Sequence, residues 1–92
     1  RGIRDANLEI IHERISPITL DNLMPFATSV ARLRARYLEV AFKFTEKTTG
    51  DTLEDSEIEA LRRHRVAFEE ARDAFEALRH AIERGYVDLG TD

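Results

Sequence analysis

Apolar residues recur along this chain at spacings of three and four, in three blocks punctuated by proline and glycine. That period predicts amphipathic helices and no half-buried strands. The first block, Ile3 to Ile15, carries Leu8, Ile11, Ile15 and Ile18 along one face. Ser16-Pro17 ends it, because proline lacks an amide hydrogen and disfavours helical geometry in the residue before it. Residues 16 to 20 are then a connector, expected to lie over the core through Ile18 and Leu20.

The second helix is expected to open at Asp21 or Asn22, whose side chains can cap free amides, with Pro25 inside the tolerant first turn. Its main stripe is Leu23, Phe26, Val30, Leu33, Tyr37, Val40 and Phe44, and a second edge follows in Ala27, Ala31, Leu38 and Phe42. At 100° per residue the apolar arc covers about 220°, while Arg32, Arg36, Glu39, Lys43, Glu46 and Lys47 share the remainder. Gly50 is a natural left-handed stop.

Thr52 or Ser56 is the expected cap of the third helix, Ser56 through a capping box with Glu59. The stripe there is Leu61, His64, Phe68, Ala71, Phe75, Leu78 and Ile82, with Ala67, Ala74 and Ala81 alongside to permit close helix approach, and Gly85 ends it. Tyr86, Val87 and Leu89 are too apolar for a free tail and should fold back.

The expected fold is therefore all-α, one domain over residues 1–92 with helices near 3–15, 22–48 and 53–84. Helices two and three should form an antiparallel hairpin in which facing positions sum to about 101, with the short N-terminal helix packed outside. One short helix cannot shelter so wide an arc. The pattern predicts a homodimer with a four-helix core, and a monomeric three-helix bundle is the alternative. The expected dimer or partner interface is Phe26, Ala27, Val30, Ala31, Leu38 and Phe42, joined by the first helix and the tail.

Length and charge narrow the function. Ninety-two residues leave no room for a second catalytic domain, and a net charge of -4 opposes non-specific attraction to nucleic acid or anionic lipid. No cysteine is present, which removes disulfides, thiol nucleophiles and Cys-ligated zinc. The longest interior charge-free run, Asn22 to Ala31, is too short to span a bilayer, and a cytoplasmic protein is the default expectation.

Arg34 is the anomaly, falling within the apolar arc of helix two. Hairpin register places it near Ala67 and Phe68, and Tyr37 near His64. An interior cluster of Arg34, Tyr37 and His64 would offer a planar donor fork, a hydroxyl and a titratable donor to a small anion. The competing arrangement has Arg34 reaching an edge, or pairing with a glutamate.

The remaining charged patterns are less informative. Arg65, Arg72 and Arg79 alternate with Glu69, Glu76 and Glu83, so the ladder neutralises itself. Glu9-x-x-His12 and the reversed pair His80 and Glu83 resemble bundle metal ligands only faintly, and the acidic linker lacks the spacing of a calcium loop. No phosphate-binding glycine loop, nucleophile elbow or zinc-protease motif occurs. The sequence thus predicts no enzyme, no cofactor and no metal, but a dimeric interaction module of the adaptor, chaperone-like or regulatory kind that binds itself and a protein partner. A DNA-binding regulator and an anionic-ligand sensor are the competing classes.

Overall fold

The structure, a computed structural model, describes residues 2–47 and 50–90. It is all-helical: α1 spans Ile3–Arg14, α2 Leu20–Lys47 and α3 Asp55–Glu83, with no strand among the described residues. The expected end of helix two at residue 48 lies outside those residues. The chain divides into two compact units, one of residues 1–27 and 74–92 and one of residues 28–73.

In the first unit α1 meets the start of α2, the end of α3 and the tail. Phe26 and Phe75 pack edge to face with ring centroids 5.6 Å apart, in the register expected of an antiparallel pair. α3 stops at Gly85, whose φ of 77° is left-handed. The Tyr86 amide then donates to the Ala81 carbonyl at 2.8 Å, and the Gly85 amide to that of Ile82 at 3.1 Å, which satisfies carbonyls the helix end would otherwise leave bare. Arg4 adds a donor from α1, its Nη2 lying 2.9 Å from the Arg84 carbonyl oxygen.

The tail does fold back. Val87 is 1% exposed and Tyr86 half-buried. The connector and tail are tied by two backbone bonds, Ile18 N–H to the Asp88 carbonyl and Gly90 N–H to the Ile18 carbonyl, both 2.8 Å. The result is an isolated parallel bridge between Ile18 and Leu89 that hydrophobic period gave no hint of. Ile18 is half-buried as expected, but Leu20 is the first residue of α2 and 54% exposed, and Leu89 is 56% exposed.

The cap of α2 corrects the sequence reading. Thr19, not Asp21 or Asn22, stands at the helix start: the Asn22 amide donates to Thr19 Oγ1 at 3.2 Å, and Thr19 Oγ1 donates to Asn22 Oδ1 at 2.9 Å. Asn22 plays the third-position partner of a capping box in which asparagine replaces glutamate. With the helix opening at Leu20, Pro25 sits beyond the first turn. Replacing Thr19 with alanine is expected to cost about 1 kcal/mol in urea unfolding, and Thr19→Ser to cost almost nothing.

In the second unit α2 and α3 run antiparallel, with the Arg34 guanidinium 5.0 Å from the Phe68 ring centroid and Lys47 Nζ 3.3 Å from Glu57 Oε2. Val30 is the buried centre of this unit at 8% exposure. Gly50 takes a left-handed φ of 97°, as its place after the helix implies. Ala67 and Ala74, expected in close helix contact, are exposed in their respective units, so the α3 stripe is narrower than its small residues implied.

α3 also begins with a different cap from the one expected. Neither Thr52 nor Ser56 serves. The Glu54 amide donates to Glu57 Oε1 at 2.9 Å, and the Glu57 and Ile58 amides return to the Glu54 carbonyl at 3.0 Å. That backbone hydrogen bond holds the Glu57 carboxyl below its ordinary value; partial burial opposes the shift and Lys47 assists it. Because the folded value is the lowered one, the stabilisation is complete above the ordinary glutamate range and is lost as pH falls through the lowered value. Glu57→Gln should therefore be less stable than the parent at pH 7, and the gap between their urea midpoints should close in acid.

Candidate functional site

The residues singled out for an anion site do not form one cluster inside the bundle. Arg34 lies at the surface with its guanidinium over Phe68, whereas Tyr37 and His64 are half-buried, and among the described residues no hydrogen bond joins the three. The physical reason is solvation: a guanidinium buried without a carboxylate is costly, and the long arginine stem lets the charge leave the apolar arc while its carbons stay against it. Arg72 approaches the same ring at 5.3 Å, so Phe68 carries two cations by their attraction to its π electrons.

Most of the arginine ladder on α3 is self-paired. Arg65 meets Glu69 at 2.8 Å, and Arg79 meets Glu76 at 2.7 Å and Glu83 at 2.8 Å. Those two carboxylates, Glu76 foremost, push the Arg79 value further up. Arg72 departs from the expected order: it pairs with Asp73 at 3.2 Å while lying against Phe68. None of these surface pairs leaves a free basic stripe for phosphate.

His12 turns to the tail, with Nε2 3.7 Å from Asp88 Oδ2, a pairing across most of the chain length that no local motif signals. Among the described residues no group of three or more His, Asp or Glu side chains is placed to hold a metal ion. At the far end of the second unit a cleft of about 170 Å3 is walled by Phe44, Lys47, Asp51, Leu53, Glu54 and Glu57. The Lys47–Glu57 pair occupies part of its rim, and Lys47 also lies 5.7 Å over Phe44.

The expected interface residues fall into two groups. Phe26 and Ala27 are half-buried in the first unit, and Val30 is buried in the second, so each already has cover from its own chain. Ala31, Leu38 and Phe42 face outward, with Leu38 58% and Phe42 61% exposed. Ala35, which the sequence reading passed over, is exposed in the same row and completes a 4-3-4 spacing from 31 to 42. Its signal was available: an alanine at the missing heptad position of the second edge. This row is an apolar edge that the second unit leaves exposed along α2.

No helix among the described residues is long and apolar enough to cross a membrane. Compared with known proteins, the chain matches no family model, no curated protein and no solved structure.

Proposed function

We propose that this protein is a non-catalytic helical interaction module, a cytoplasmic adaptor, chaperone-like or regulatory subunit that works as a homodimer. One observation carries the reading: the outward row of Ala31, Leu38 and Phe42 on α2, where two large side chains are more than half exposed. An isolated exposed leucine is ordinary, but a row at helical seam spacing is the pattern by which one helix receives another. The thin core points the same way, since among the described hydrophobic residues Val87 alone is fully buried within the single chain and Val30 nearly so, at 8% exposure. Covering α2 with a second copy adds the burial that a chain of this length needs.

Light scattering over rising concentration tests the proposal. The parent chain should approach twice its 10.6 kDa mass. Phe42→Glu should remain at the single-chain mass with an unchanged helical circular dichroism spectrum, because the substituted side chain is already in water. A parent chain that stays at single mass near ~1 mM would remove the reading.

A further inference from the structure

The outward row is not uniform along its length: it places alanines at 31 and 35 and the bulky Leu38 and Phe42 after them. We propose that a second copy of this chain docks on this row antiparallel, about a two-fold axis level with Arg36 and Tyr37, so that Ala31 meets Phe42 of the other copy and Ala35 meets Leu38. The inference rests on the homodimer reading and specifies its geometry. In a two-fold interface, if position i meets j then j meets i, so one alignment pairs small with large at every level of the row. A parallel, in-register pairing would instead stack Phe42 on Phe42 and leave the alanines facing each other across a gap.

Charge supports the same alignment. Arg32 and Glu39 flank the row on the same side, seven residues apart and both exposed. Antiparallel seam helices bring like flanks together, so Arg32 of one copy comes beside Glu39 of the other, twice by symmetry. Among the described residues neither has an ion-pair partner within its own chain, whereas Arg65 and Arg79 of α3 are satisfied internally. A parallel dimer does not join these two flanks. The row from 31 to 42 is only about 16 Å long, so the association is expected to be reversible.

Charge reversal on the full chain is the test, read by sedimentation equilibrium. Arg32→Glu alone, and Glu39→Arg alone, should each weaken dimerisation on the order of tenfold, because each turns two attractions into two repulsions. The double variant should return to the parent affinity. Both positions are exposed on a helix, and circular dichroism of each variant confirms that the fold is kept. The absence of native cysteine allows a second readout: Ala35→Cys mixed with Leu38→Cys should form a disulfide-linked heterodimer under mild oxidation, while Leu38→Cys by itself should link poorly. A dimeric parent whose double variant is no better than the singles, or whose Leu38→Cys variant links readily to itself, overturns the antiparallel seam and leaves the homodimer standing. A parent that is monomeric at every concentration overturns both.

Discussion

Val87→Ala is expected to lower the stability of the chain by about 2 kcal/mol, the lost transfer free energy of two buried methyl-equivalents plus a cavity that the surroundings fill only in part. The side chain is 1% exposed, the deepest burial among the described residues, although it belongs to the tail rather than to a helix. Its backbone neighbours are tied to the connector through Asp88 and Gly90 on either side of Ile18. Loosening Val87 should therefore release that bridge as well. Urea unfolding measures the loss, and hydrogen exchange at the Ile18 and Gly90 amides locates it. Leu89→Ala, at a side chain 56% exposed, should shift the midpoint by less than about 0.5 kcal/mol and serves as the control. Equal effects from the two variants would mean that the tail is not anchored by Val87.

Val30→Asp has the larger expected effect in the second unit. Val30 is 8% exposed and stands on the covered side of α2, where a carboxylate would lose most of its hydration. The variant must desolvate a charge, draw a neighbouring arginine such as Arg34 inward, or take up a proton, and each route costs about 3 kcal/mol. Much of a small domain's stability of about 5 kcal/mol would go. Circular dichroism at pH 7 should show a substantial loss of helix and a lowered melting temperature, with partial recovery in mild acid as the new carboxyl protonates. Phe42→Asp provides the contrast, since it should leave the single-chain fold intact. If the two substitutions unfold the chain equally, the assignment of covered and uncovered edges on α2 is wrong.

That contrast shows where pattern reading stops. Val30 and Leu38 both belong to the broad apolar arc of helix two, and nothing in the spacing says which of them the third helix will cover. Position on a helical wheel gives a direction from the axis, but cover depends on where a neighbour lies. Arg34 illustrates the same limit. Its place in the arc was plain, yet the arc has an edge over Phe68, and a flexible stem carries the charge there at little cost.

The caps show a finer version. Every side chain able to cap was visible, but several stood close together in each connector. The selection of Thr19 over Asp21 and of Glu54 with Glu57 over Ser56 depends on where the chain leaves extended geometry. The connector enters α2 from the bridge with Leu89, a contact with no local signature. His12 beside Asp88 was illegible for the same reason, since its partner comes from the other end of the chain.

What the order of residues alone determined is the all-helical class, three helices broken near Pro17 and Gly50, the end of α3 at Gly85 and an apolar tail that returns to the body. These follow from local rules: hydrophobic period, proline's missing donor and glycine's freedom at positive φ. The tertiary structure decided which edge of α2 is left in water, that Val87 is the deepest of the described residues, and that Arg34, already placed beside Phe68 by hairpin register, reaches the surface there rather than staying inside. Depth of burial and choice of partner are properties of two segments at once, and period describes only one.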